Sequence, residues 1–201
     1  MTREEQIAHV TRAIELHPER TEYWETRAIY EIDARDFRRA RSDLDHAVDS
    51  ADRPYLRFLR GLVLCRMGEP DRCLADFDAA IAGQLENSQF YRGRSLARSA
   101  LGDPEGGLAD AELLVTLSPQ VATSYYARGV ALAELGRDRE ALRDFDEALG
   151  RAPELVYPFL ARAEAFERLG RHDESVADRE AAKRNQIEQS GCAACLDPFR
   201  Y

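Results

Sequence analysis

Three groupings in this chain have the residue types that chemistry requires. The first is Cys192-Ala-Ala-Cys195, two thiols near the C-terminal end. C-x-x-C serves as half of a zinc site or as a redox pair. Zinc needs two further ligands, and the sequence offers no second C-x-x-C and no nearby histidine. A redox pair of the thioredoxin kind wants a helix N-terminus after a strand, and nothing here reads as a strand. The second grouping is acidic: Asp43 with Asp45, Asp76 with Asp78, Asp110 with Glu112, Asp144 with Asp146, and Asp178 with Glu180. On a helix, residues two apart point about 200° around the axis from each other. One carboxylate then faces a partner helix and the other faces solvent, so no catalytic dyad forms. The third grouping is Arg27, Arg60, Arg94, Arg128 and Arg162, one for each acidic pair. An arginine and an aspartate returning together in this way predict a bridge at a helix interface, within a unit or to its neighbour. No Ser-His-Asp grouping, P-loop or dinucleotide fingerprint stands in a supporting context. Neither a catalytic residue nor a cofactor is expected, and a metal is expected only if Cys192 and Cys195 find further ligands.

The elements that carry these residues repeat at a spacing of 34 residues. The units run 21–53, 54–87, 88–121, 122–155 and 156–189, the first one residue short. Position 8 is always small (Ala28, Gly61, Ser95, Gly129, Ala163), as is position 20 (Ala40, Cys73, Gly107, Ala141, Ser175). Position 27 is alanine except at Leu114, and position 4 carries Trp24, Tyr91, Tyr125 or Phe159, with Arg57 the exception. Small residues let two helix backbones approach, while bulk at positions 4, 11 and 24 fills the flanks. Gly68, Gly102, Gly136 and Gly170 at position 15 supply a left-handed residue that ends the first helix. Glu69-Pro70 and Asp103-Pro104 then place an acidic cap before a helix-opening proline. In an antiparallel hairpin, facing positions keep a nearly constant index sum, and positions 4 with 27, 11 with 20, and 8 with 24 satisfy this.

The clearest copy is Tyr125 to Gly136, followed by Ala141, Phe145, Ala148 and Pro153. It resembles the tetratricopeptide repeat family, whose pattern is W-x2-L-G-x2-Y, then A-x3-F, then A and P. The resemblance covers residues 21 to about 189, and the stretch with Val10, Ala13 and Pro18 looks like the second helix of a leading half-repeat. It implies an all-α fold, a right-handed solenoid of stacked antiparallel hairpins. Residues 1–20 form an N-terminal capping helix, and 190–201 a tail with the C-x-x-C. Arg35 in place of the glycine, Asp52 in place of the proline and Arg179 in place of a core aromatic suit terminal units, whose outer face meets water.

The resemblance further implies a concave surface built from each unit's first helix. Carried onto this sequence, it places Tyr55, Phe58, Leu62, Arg66, Gln89, Arg92, Leu96, Thr123, Tyr126, Val130, Tyr157 and Leu160 on a partner-binding groove. A groove of that composition suits a peptide or amphipathic helix of another protein. The lysine- and asparagine-rich clamp of chaperone-binding members is missing, since Lys183 is the one lysine among 28 basic residues. The expected function is therefore a non-enzymatic scaffold or adaptor. Alternatives are a thiol- or metal-dependent regulator acting through Cys192 and Cys195, and a scaffold that self-associates through groove–tail contacts.

Composition bounds these readings. The chain is 44% hydrophobic and 32% charged, in keeping with a folded protein. Its formal net charge of −9 argues against nonspecific nucleic-acid binding. No run approaches the roughly 18 apolar residues of a membrane span. A cytoplasmic location is expected, with all four cysteines reduced.

Overall fold

The computed structural model describes residues 2–188. Cys192, Cys195 and the tail 190–201 lie outside the described residues. Secondary structure among the described residues is entirely helical: α1 Arg3–Leu16, α2 Thr21–Asp33, α3 Phe37–Ser50, α4 Pro54–Arg66, α5 Pro70–Gly83, α6 Ser88–Ala100, α7 Pro104–Leu117, α8 Ala122–Glu134, α9 Asp138–Arg151, α10 Val156–Arg168 and α11 His172–Glu188. The fold is an all-α solenoid of helical hairpins. It falls into two compact units, Met1–Phe90 and Tyr91–Tyr201. In the first, α2 packs on α3 and α4 on α5, with α1 against α2 and α3 against α4. In the second, α8 packs on α9 and α10 on α11, with α7 against α8 and α9 against α10.

Each first helix ends by the same local mechanism. Arg35, Gly68, Gly102, Gly136 and Gly170 all have positive φ, between 60° and 87°. The following N–H reaches back five residues: Asp36 to Glu31, Glu69 to Leu64, Asp103 to Arg98, Arg137 to Leu132 and Arg171 to Phe166. This closure satisfies helix-end carbonyls that would otherwise lack donors. The second helix then starts on Pro70 in α5 and Pro104 in α7, and after a capping carboxylate in α3 and α7, whereas α9 follows Arg137 with neither. Asp103 accepts from the Gly106 N–H, and Asp36 from the Arg39 N–H. Glu69 differs from the expectation. It caps no backbone N–H, because Arg41 and Arg72 take its two oxygens.

The two helices of a hairpin meet along the small positions, every one of which is buried. A Cβ added to Gly61 would stand 2.9 Å from the Phe77 ring, and one added to Gly129 would stand 2.6 Å from the Phe145 ring. Position 8 thus shrinks to glycine where position 24 is phenylalanine. Where position 24 is Leu44 or Ala111, position 8 holds Ala28 or Ser95. The pairing conserves volume across the interface, as close-packed interiors require.

Ahead of α2, α1 packs against it. Thr2 and Glu5 form a capping box, and Val10 and Ile14 are buried. Counting back by one period, Thr11 occupies position 25, and its hydroxyl accepts from Arg27.

Arg35 is the one non-glycine residue with positive φ among the described residues. A left-handed L-residue costs about 1–2 kcal/mol, partly offset by the greater chain entropy that glycine loses. Arg35→Gly should therefore raise stability by about 1 kcal/mol in urea unfolding. A decrease would show that the arginine side chain contributes more than its backbone conformation costs.

Candidate functional site

The arginine–aspartate series forms five bidentate bridges, each within its own hairpin. Arg27 pairs with Asp43, Arg60 with Asp76, Arg94 with Asp110, Arg128 with Asp144 and Arg162 with Asp178. In every case Nε and one terminal nitrogen donate to the two carboxylate oxygens at 2.6–2.8 Å. The five aspartates are buried, and fork-to-carboxylate geometry is what makes such burial tolerable. The bonds to aspartate raise the pKa of Arg27, Arg60, Arg128 and Arg162 further. The aromatic residue at position 4 flanks the same guanidinium. Arg27 lies 5.2 Å from the Trp24 ring centre, Arg94 5.8 Å from Tyr91, Arg128 5.7 Å from Tyr125 and Arg162 5.7 Å from Phe159. Trp24 and Tyr125 also donate to the carbonyls of Pro18 and Pro119, each six residues earlier.

The second carboxylate of the acidic pairs does more than face solvent. Asp45 accepts from Arg60 at 3.1 Å and Asp146 from Arg162 at 2.5 Å, each reaching the arginine of the next hairpin. Thr11 does the same for Arg27. Arg27, Arg60 and Arg162 therefore spend two nitrogens within their own hairpin and a third on the helix before it. Sequence reasoning missed this third contact. The signal was present, because position 25 is acidic in every unit.

Glu31 at position 11 interrupts the pattern. It is 3% exposed, and its Oε2 finds no hydrogen-bond partner. Burial, then the neighbouring Asp43, push its pKa up to about 7, with Arg27 at 3.9 Å opposing them.

The expected groove residues divide by accessibility. Phe58 is fully buried and packs on the rings of Phe77 and Phe90, at centroid distances of 5.8 and 4.9 Å. Leu62, Arg92, Leu96 and Tyr126 are also buried. Arg66 and Gln89 are exposed, and Tyr55 is half-buried. Phe58 is thus a core side chain rather than part of an open wall. Its helix carries Leu56, Leu59, Leu62, Val63 and Leu64 in buried positions around much of its circumference, and a helix with so broad an apolar surface has little of it left open. In the second unit the expected surface stays more open. Thr123, Val130 and Tyr157 are half-buried and Leu160 is 44% exposed. The Tyr157 ring packs 4.5 Å from that of Tyr126. Burial, then Tyr157 and Glu164, raise the Tyr126 pKa, so its phenol stays neutral.

Cysteine chemistry departs from expectation. Cys65 and Cys73 are joined as a disulfide, with Cα atoms 5.2 Å apart, inside the range that a disulfide spans. Positions 12 and 20 have the same index sum as the facing pair 8 and 24, so the hairpin itself brings them together. No group of three or more histidine, cysteine or acidic side chains able to hold a metal occurs among the described residues. No helix among them is long and apolar enough to cross a membrane.

The family model of the tetratricopeptide repeat matches residues 122–155, the span of α8 and α9. That hairpin is a tetratricopeptide repeat. Solved structures show the same architecture. A tetratricopeptide repeat protein from Parabacteroides merdae aligns over 98% of this chain and 77% of its own, with a TM-score of 0.81 and 14% identity. MamA aligns over 82% of this chain and 96% of its own, with a TM-score of 0.63 and 14% identity. YrrB, described as a TPR protein with an unusual peptide-binding site, aligns over 90% of this chain and 94% of its own, with a TM-score of 0.60 and 18% identity. No curated protein sequence matches the chain. At these identities the structural likeness speaks for the repeat fold alone.

Two outcomes test the site's electrostatics. Arg128→Ala leaves Asp144 buried without its partner and should cost about 3 kcal/mol or more. A double-mutant cycle with Asp144→Asn should show coupling above about 1 kcal/mol, and additive effects would disprove the bridge's role. For Glu31, the folded-state pKa lies above the unfolded one. Between about pH 4.5 and 7 the native state holds a proton that the unfolded chain has lost, so this group makes stability fall as pH rises. Glu31→Gln should therefore match the wild type at pH 4 and exceed it by about 1–3 kcal/mol at pH 8. Equal stability at both pH values would show that the carboxylate is solvated.

Proposed function

We propose that the protein is a non-enzymatic scaffold or adaptor that binds a peptide or helix of another protein on the first helices of its hairpins. The observation that carries this reading is the surface of α8 and α10, where Leu160 is 44% exposed beside half-buried Tyr157 and Val130. Exposed aliphatic and aromatic side chains held on rigid helices are the material of binding hot spots. Glu164 and Glu134 border them and favour a segment that combines apolar anchors with positive charge. YrrB's peptide-binding site supports the reading by likeness of fold. Burial of Phe58, Leu62, Arg92, Leu96 and Tyr126 narrows the proposed contact set to Thr123, Val130, Tyr157 and Leu160, with Tyr55, Arg66 and Gln89 as accessible positions elsewhere. The net charge of −9 argues against nucleic acid as the partner. The compartment read from the sequence is the cytoplasm, and the Cys65–Cys73 disulfide counts against it, since such bonds are rare in a reducing cytosol.

The test is a peptide-display selection on the wild-type protein. Selected peptides should lose about 30-fold or more in affinity for a Tyr157→Ala, Leu160→Ala double variant that keeps its helical circular dichroism. Failure to select any peptide, or equal affinity for both proteins, would overturn the proposal.

A further inference from the structure

A second surface in the Tyr91–Tyr201 unit has a different chemistry. Arg139 and Arg143 stand one turn apart on α9, both exposed, and neither has an ion pair or hydrogen bond among the described residues. Most other arginines here are bound to a carboxylate: those at position 7 by two or three bonds, Arg137 by Glu140, and Arg168 by Asp138. Two like charges four residues apart repel and weaken the helix that carries them. Glu140, one turn before Arg143, is attracted to it without a direct bond, so both guanidinium forks keep their hydrogen-bonding donors for solvent or a ligand.

Both arginines line an open cavity of about 470 Å³ whose apolar floor is Leu142, Phe166 and Leu169. A third cation, Arg171, closes one side. Its guanidinium lies 4.4 Å from the Phe166 ring centre and is bonded to Glu174, so it is held in place. The cavity's one carboxylate, Asp146, is already engaged by Arg162. Arg143 also borders a neighbouring cavity of about 350 Å³, but that one contains the carboxylates Glu112, Glu140 and Asp144, and its other arginines are spent on two of them, Arg137 on Glu140 and Arg128 on Asp144. The cationic surface is therefore the larger cavity alone, an open trough rather than a closed pocket, with Arg139, Arg143 and Arg171 around it and Leu142, Phe166 and Leu169 beneath.

We propose that this trough binds an acidic peptide segment of a partner protein. Its carboxylates would pair with the Arg139 and Arg143 forks, and an apolar side chain would seat on Leu142, Phe166 and Leu169. The fork geometry suits bidentate capture of carboxylates. An open surface with an apolar floor beside its cations fits a chain segment that carries an apolar side chain better than a compact anion. The surface shares no residue with the Tyr157–Leu160 surface, so the two readings stand or fall separately.

The probe is a fluorescein-labelled peptide of repeated Glu-Glu-Leu triplets, followed by anisotropy with the full chain. The Arg139→Glu, Arg143→Glu variant should bind about tenfold or more weakly. Raising salt from about 50 to about 300 mM should weaken the wild type's binding and leave the variant's residual binding little changed. Tyr157→Ala with Leu160→Ala should leave it unaltered. If charge reversal unfolds the unit, Arg139→Gln with Arg143→Gln takes its place, with the same loss expected. Equal binding by wild type and variant would overturn the proposal, as would equal binding of a Glu-Glu-Ser probe. Displacement by equimolar inorganic pyrophosphate would overturn it in favour of a small anion. A wild-type dimer that the arginine variant dissolves would overturn it in favour of a second copy of this chain.

Discussion

Closeness of two helix backbones is the constraint from which the rest of this structure follows. At Gly61 and Gly129 a single added carbon would collide with the facing phenylalanine ring. Backbones that near leave no room for long side chains at positions 8, 20 and 27, and they force whatever lies beside them into a dry interface. Asp43, Asp76, Asp110, Asp144 and Asp178 lie there, and a lone carboxylate in such a place would be prohibitive. The arginine fork answers both oxygens at once, and the ring at position 4 sits beside the remaining face of the guanidinium in four hairpins. Small residues, aspartate, arginine and aromatic are thus parts of one solution.

How far the sequence could be read depended on whether a residue's role is set inside one hairpin or by its surroundings. The 34-residue return, the small positions, the Arg–Asp partners and the positive φ at position 15 depend on contacts within about 20 residues, and they repeat often enough to be compared with one another. The role of Phe58 depends on Phe77 and Phe90, one on the hairpin's other helix and one beyond it, and a groove position transferred from a family pattern carries no information about them. Its neighbours Leu56, Leu59, Leu62, Val63 and Leu64 already described a helix whose apolar surface is broader than a single stripe. The Cys65–Cys73 bond was legible too, by the index sum that paired position 8 with 24. Weighing the cysteines by compartment instead of by geometry concealed it.

Glu31 and Arg35 mark the same hairpin as the least regular of the five. One puts a carboxyl where aliphatic or aromatic side chains stand in three other copies, and the other puts a bulky residue where glycine is conformationally at ease. Both are local costs that the fold absorbs, because the hairpin's Arg27–Asp43 bridge and its core of Ala28, Ala40, Leu44 and Ala47 are intact. Strain at a helix end and an unsatisfied oxygen remain close together at the α2–α3 turn, while the packed interface beside them keeps its usual form.

The third nitrogen of the arginine has an evolutionary consequence. Thr11–Arg27, Asp45–Arg60 and Asp146–Arg162 join successive hairpins through one shared handshake, whereas the glycine–phenylalanine fits are private to each hairpin. A junction written in the same two positions at these three places suits neighbouring modules alike, provided the reading of 34 is kept. Gene duplication or excision of a whole module would meet a matching neighbour on both sides, so array length is free to drift while each module's interior evolves alone.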